Sequence, residues 1–368
     1  MLKKAILFYL FNCSLIYSQA IVTVHGNILA KEAINDSITF VEGLFSGEKY
    51  YENKVLKAKI TNNIFNLDFS SPYPQMYMLA LDSEKNSGRF RIDCCFIDNT
   101  TTEITFDSSY ILEKSNGVTN EEFLEKFIPY VFKEKKGSFN FYNFDENLDK
   151  KLYSYINENP DSYVALWFLI GRFNLEGYNE VYEKSLHSFS KKMKNEKLWK
   201  ILDKELSDIK IKVNHKFPEI VLKNIDLIPE LVLIPEAEYT LIDFWFSRCL
   251  PCLQEIPKWV DLYQRFGTDG LNIIGISTDK TENIEKYWQK RIIEKQIPWK
   301  NYLDENAVFA SKEKIFSFPT NYLLNSKGEI IRKNIRPEEL EKLLIDSYKI
   351  KKYFDSYHRQ YQVPVSIY

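Results

Sequence analysis

Residues 244–257 read FWFSRCLPCLQEIP and hold two cysteines, Cys249 and Cys252, in the spacing C-x-x-C. An apolar run, TLIDFWF, precedes the pair, and a helical pattern, CLQEIPKWVDLYQRF, contains and follows it. Thiols three residues apart at a helix start lie on one face, close enough to bond. Pro251 suits the first helical turn. Unpaired N–H groups and the dipole at that end favour a thiolate on the first cysteine. The expected division of labour is an exposed, attacking Cys249 and a buried Cys252 that resolves the mixed disulfide.

A metal half-site is the competing chemistry. Structural zinc takes four Cys or His ligands, and His25, His187, His215 and His358 do not pair at ligand spacing. Cys94 and Cys95 fall in a region of different pattern. Plain packing explains the pair less well, because strand, C-x-P-C and helix occur together. No metal and no cofactor is expected.

Three further positions bear on the chemistry. Asp243 is the only charge in YTLIDFWF. A buried strand tolerates a carboxylate badly, and burial would raise its pKa so that it exchanges a proton with Cys252. The bland alternative is an Asp at a strand end that reaches water. Glu255, one turn after Cys252, is either a second acid near the thiols or a helix-surface residue. Pro319 in SFPT precedes an apolar strand; a cis bond there would bring backbone against the disulfide, whereas a trans bond would make it an ordinary edge proline.

These positions need elements to hold them. The chain has 368 residues, with 49 Lys+Arg against 51 Asp+Glu and a formal net charge of −2. That balance argues against a nucleic-acid binder. Lys3 and Lys4, an apolar run from Ala5 to Tyr17 and then Ser18-Gln19-Ala20 have the parts of a secretory signal, with cleavage expected after Ala20. Cys13 in LFNC fits a lipoprotein signal poorly. The run is short of the ~20 residues a spanning helix needs, so no transmembrane segment is expected after cleavage, and an uncleaved anchor is the alternative. The expected location is the periplasm or cell envelope.

Residues 21–112 alternate short β-branched and aromatic runs with Asn, Gly, Ser and Pro, as in an all-β sandwich or barrel. Residues 113–210 turn to a helical period and read as a connector; Thr119 and Glu122 have capping-box spacing, and Pro129 should kink or end the first helix. Residues 211–346 alternate strand and helix and close with a hairpin and a helix, which gives an α/β layer fold with a mixed sheet flanked by helices. In TENIEKYWQKRIIEK, Thr281 or the preceding Asp279 is the expected helix cap. Residues 347–368 form an aromatic tail.

FWFSRCLPCLQEIP resembles the active-site segment of thioredoxin-fold proteins. More narrowly, residues 211–346 resemble the TlpA/ResA-like extracytoplasmic thiol–disulfide oxidoreductases: HKFPEIVL their leading segment, LNIIGIST their next core strand, and FPTNYLLNSKGEII their cis-proline, strand and hairpin. The resemblance implies Cys249 as nucleophile, Cys252 as resolving thiol and Pro319 as the cis-proline. It also places Asp243 at the position of the thioredoxin buried acid and Glu255 at that of the ResA-like active-site glutamate. Residues 21–112 are similar, more loosely, to a β-rich domain of unknown function (DUF4369) found ahead of such domains.

Two residues depart from the family pattern. Arg248 stands where tryptophan is usual, and Leu250 replaces a common glycine. A guanidinium beside Cys249 would favour its thiolate and move the potential from about −270 mV toward about −120 mV. Leu250 adds an apolar rim. The expected activity is that of an exported oxidoreductase reducing protein disulfides, with an upstream electron-donor protein as second partner. A thiol peroxidase is the alternative enzyme, against which the close C-L-P-C pair argues. A cell-envelope binding module led by the β-rich domain is the alternative of another class.

Overall fold

The computed structural model describes residues 22–30, 34–42, 48–51, 55–69, 71–85, 94–98, 100–109, 111–132 and 147–361. The secretory signal expected at 1–20, with Cys13, and residues 362–368 of the tail lie outside the described residues. The chain divides into two compact units, residues 1–148 with 162–167 and residues 149–161 with 168–368. Among the described residues no helix is long and apolar enough to cross a membrane.

The first unit is rich in sheet. Its strands are β1 (Val22–Ile28), β2 (Ser37–Glu42), β3 (Val55–Lys59), β4 (Ile64–Phe69), β5 (Gln75–Leu81), β6 (Cys94–Ile97), β7 (Thr102–Phe106) and β8 (Leu112–Ser115). They form two four-stranded sheets, ordered β4-β1-β7-β8 and β3-β2-β5-β6. Alternation does the sorting: Phe65, Leu67 and Phe69 of β4 point inward while Ile64, Asn66 and Asp68 point out. Phe40 of β2 meets Phe65 of β4 at 5.9 Å between ring centres, which joins the two sheets.

The helix that follows differs from expectation at its start. Gly117, not Thr119, caps Val118–Glu122, and no side chain closes the cap. Glu122 instead accepts the Ser162 hydroxyl. Pro129 lacks an N–H to continue the ladder; a π turn over Phe123–Phe127 precedes it, and the helix resumes over Ile128–Val131.

The second unit centres on a seven-stranded mixed sheet, ordered β10-β9-β13-β12-β11-β14-β15. Its strands are β9 (Val221–Lys223), β10 (Pro229–Leu231), β11 (Tyr239–Trp245), β12 (Leu271–Ser277), β13 (Lys300–Leu303), β14 (Thr320–Asn325) and β15 (Ile330–Lys333). β11 pairs parallel with β12 and antiparallel with β14. Every residue of β11 after Tyr239 is buried, which is why it reads as a continuous apolar run. Leu241, Ile273 and Leu323 pack on one face against Trp259, Leu262, Leu340 and Leu344. Ile242, Phe244, Ile274, Tyr322 and Leu324 pack on the other with Ile211, Phe217 and Ile315. The last helix, Pro337–Tyr361, runs well into the segment read as a tail.

Among the described residues, the connector continues with the helices Leu148–Glu158, Tyr163–Glu176, Glu180–Ser188 and Lys197–Asp208. Within the second unit, polar groups staple it to the loop before β14. Glu313, 2% exposed, accepts the N–H groups of Lys210 and Ile211 at 2.8 and 3.0 Å. Lys314 reaches Glu205 at 3.2 Å and Asn174 at 2.9 Å. Lys333 donates to the Tyr178 carbonyl at 2.9 Å.

Gly177 makes this junction close. Its φ is +73°, and a Cβ there would stand 2.2 Å from the Lys314 carbonyl oxygen. Left-handed strain and a backbone clash combine to an expected loss of about 2–4 kcal/mol for Gly177→Ala. Urea denaturation checks it; a midpoint equal to that of the parent would show that the junction yields.

Candidate active site

β11 ends at Trp245, the chain turns through residues 246–248, and the helix Leu250–Phe266 begins. Cys249 is its N-cap, with extended backbone (φ −72°, ψ 101°) and Pro251 in the first turn. Cys249 and Cys252 are joined by a disulfide, with Cα atoms 5.3 Å apart, inside the range such bonds need. The Cys252 N–H points at Cys249 Sγ, 3.2 Å away. The sulfur therefore occupies the place where a side-chain oxygen caps most helices, next to unpaired N–H groups.

Cys249 departs from the expected exposure. It is 3% exposed and Cys252 2%. Both sulfurs belong to an apolar cluster with Trp245, Ile256, Ile284, Trp288 and Leu303, edged by Phe246 and Phe318. A disulfide carries no charge and packs like a small apolar group. Leu250, the next residue in the chain after Cys249, is 65% exposed. The Phe318–Pro319 bond is cis, and Phe318 meets Phe246 edge-on at 5.5 Å. This brings the loop before β14 onto the cysteine cluster.

Asp243 lies on the same face of β11 as Leu241 and Trp245, by strand alternation. It is 5% exposed, and its Oδ1 has no hydrogen-bond partner. Burial, and then the neighbouring Glu255 carboxyl, push its pKa up to about 8. Asp243 is thus not a strand-end residue in water. Glu255 is half-buried. Burial raises its pKa as well; the Trp259 indole and Lys258 oppose this, and Glu338 adds to it. The indole N–H lies near the carboxyl without closing a hydrogen bond. Two acids of different burial therefore interact, one on β11 and one on the helix that carries the cysteines.

Arg248 is exposed, and its guanidinium lies 5.6 Å from the centre of the Tyr287 ring, in cation–π range. Asp279 corrects the expectation of a helix cap. The following helical stretch starts after Lys280 without a side-chain cap, as a 3-10 turn over Thr281–Asn283 and a π turn over Ile284–Trp288. Thr281 does not cap it either; its hydroxyl donates to Glu305 at 2.8 Å. Asp279 turns toward the cysteine loop, where it accepts the N–H and hydroxyl of Ser247. Ser247, Asp279 and Arg291 escaped the sequence reading. The only local signal was a carboxylate next to an apolar strand, and caps explain most of those.

Cys95 is fully buried in β6, and the side chain of Cys94 lies outside the described residues. Among the described residues, no three His, Cys, Asp or Glu side chains converge as a metal ion would require.

A family model described as thioredoxin-like matches residues 237–330. The sporulation thiol-disulfide oxidoreductase A of Bacillus subtilis is 28% identical over 115 residues, covering 31% of this chain and 70% of that protein. The thiol-disulfide oxidoreductase ResA of Oceanobacillus iheyensis is 30% identical over 95 residues, covering 26% of this chain and 48% of its own length. The match thus spans about half of that relative. The thioredoxin domain of a thiol-disulfide oxidoreductase from Bacteroides vulgatus is 26% identical, covering 37% of this chain and 98% of the solved domain, with a TM-score of 0.33.

The buried acid makes stability pH-dependent. An unfolded aspartate titrates near 3.9, and Asp243 near 8 in the fold. Between these values the folded protein holds a proton that the unfolded chain has lost. The Asp243 contribution therefore weakens stability as pH rises through that window, and levels off above it. Relative to the parent, Asp243→Asn should gain more than about 2 kcal/mol between pH 4.5 and 8. Urea denaturation across that range measures it; a constant difference would mean that the carboxyl is solvated.

Proposed function

With residues 237–330 a thioredoxin-like domain as the premise, we propose that this chain is an exported thiol–disulfide oxidoreductase that reduces disulfides in other proteins. The observation that carries the reading is the Cys249–Cys252 disulfide at a helix N-terminus, with a carboxyl of pKa about 8 buried in the strand that leads into it. Export rests on the Lys3-to-Ala20 pattern.

The cycle starts from the dithiol. The Cys249 thiolate attacks one sulfur of the substrate disulfide. A Cys249–substrate bond forms, the substrate S–S bond breaks, and the departing sulfur leaves as a thiolate that takes a proton. The Cys252 thiol then gives its proton to Asp243 and attacks Cys249 Sγ. The intramolecular disulfide forms and the second substrate thiolate is released. The substrate gains two electrons and the enzyme loses two; an upstream dithiol protein restores them by the reverse sequence. An acid near 8 is matched to a thiol near 8.5, so the proton passes with little driving force either way. Glu255 is placed to tune this acid, since its charge adds to the rise at Asp243. Pro319 brings its loop to the sulfurs, and Leu250 offers an apolar landing edge to the partner.

Two variants test the roles. Cys252→Ser should accumulate a mixed disulfide between Cys249 and its partner, seen by non-reducing electrophoresis and mass spectrometry, whereas Cys249→Ser should accumulate none. Asp243→Asn should slow resolution by about 100-fold at neutral pH in a protein that remains folded. Adducts carried by Cys252, or unchanged rates across pH, would reverse the assignment.

A further inference from the structure

Ser247 lies two residues before Cys249 and is fully buried. All its polar groups are held by residues distant in sequence. Its N–H donates to Asp279 Oδ2 at 2.8 Å and its hydroxyl to Asp279 Oδ1 at 2.6 Å. Its carbonyl accepts from Arg291 Nε at 3.4 Å. Asp279 is 2% exposed, and its Oδ2 also accepts the Ser277 hydroxyl at 2.7 Å. Three donors therefore converge on one buried carboxylate, the kind of hydrogen bond that is strongest.

The carboxylate stands on a firm base. Ser277 ends β12 and is in register with Trp245 at the end of β11. The Thr278 N–H donates to the Trp245 carbonyl at 2.8 Å, and the Asn306 N–H to the Asp279 carbonyl at 3.0 Å. From this base Asp279 reaches across to the turn that carries the cysteine. The turn in turn fixes the helix start: the Cys249 N–H donates to the Phe246 carbonyl at 3.0 Å, and Cys249 Sγ faces the Cys252 N–H.

We propose that Asp279 is a positioning residue for the attacking thiol: by gripping Ser247 at its N–H and hydroxyl, it holds Cys249 Sγ over the first N–H groups of the helix Leu250–Phe266. The inference rests on the reading of Cys249 as nucleophile. Asp279 acts through Ser247 and the turn, not on the sulfur itself. Released from Asp279, the turn lets the sulfur drift from the N–H groups that favour its thiolate.

The sign of the effect separates positioning from charge. Removing an anion near a thiol would lower the thiol's pKa; loosening its seat raises it. Asp243, Arg248, Glu255 and Arg291 are unchanged by the variants used. The experiment takes the full-length reduced chain in a Cys252→Ser background and follows iodoacetamide alkylation of Cys249 against pH by peptide mass mapping. Asp279→Asn should move the midpoint up by about one unit, lowering the rate at pH 7 about tenfold. Ser247→Ala, which keeps the backbone bond, should shift it less in the same direction. The double variant should go no further than Asp279→Asn.

A folded Asp279→Asn with an unchanged or lowered midpoint overturns the proposal. If that variant does not fold, an unchanged midpoint in Ser247→Ala does so. A parent midpoint near 8.5, the ordinary thiol value, would instead undo the reading of Cys249 as an activated nucleophile.

Discussion

The central strand β11 has no wet face, and the site follows from that constraint. It is bonded to β12 on one side and β14 on the other. One of its faces is covered by the helix Leu250–Phe266 and the C-terminal helix, the other by residues from the connector end. A carboxyl placed in such a strand cannot reach water. It must find a charged partner, find donors or keep its proton, since an unpaired buried charge costs several kcal/mol. Asp243 has no partner at Oδ1 and has Glu255 as its charged neighbour. Keeping the proton is the remaining course, and it turns a structural liability into an acid that titrates where thiols do.

The same constraint explains why the sulfurs sit where they do. In the disulfide they are neutral and pack among Trp245, Trp288 and Ile256 as apolar atoms. Reduction introduces a thiolate into that setting, where burial disfavours charge. The helix terminus offers compensation, through N–H groups such as that of Cys252. Cys249 occupies the N-cap and has that compensation; Cys252 is one turn inside and does not. The asymmetry between the two sulfurs is thus geometric before it is electrostatic.

Much of this was legible in the sequence, for identifiable reasons. TLIDFWF, LNIIGIS and TNYLLN announce buried strands because both of their faces are apolar. The C-x-P-C pair announces a helix start because proline fits the first turn. Asp243 stood out as the one charge in its strand. Other elements were silent. β9, β10 and β13 are three or four residues long, and in the hairpin only Leu222 is buried, so no period can develop. β8 crosses the 112/113 boundary drawn from the pattern, because only Leu112 of its four residues is buried. The capping signals at Thr119 and Asp279 misled for a shared reason. A side chain that can cap a helix can equally bond a group distant in sequence, and spacing does not separate the two.

The connector is the element whose role the sequence conceals most. Its helices read as a spacer between two domains, yet residues 168–210 belong with the thioredoxin-like unit. Glu313 and Lys314 show why. Both are charged residues in a short loop, and each is buried or nearly so through bonds to connector groups. Without those groups, Glu313 would lose both N–H donors and Lys314 its carboxylate, leaving buried charges exposed to the penalty just described for Asp243. Five residues after Lys314 the chain reaches Pro319, so what holds Lys314 also limits where the cis-proline loop can stand against the disulfide. Like the bonds from Asp279 to Ser247, these contacts set the active-site loops from sequence far outside the C-x-x-C motif. The motif supplies the sulfurs, and the residues around it determine where the sulfurs and their partners are held.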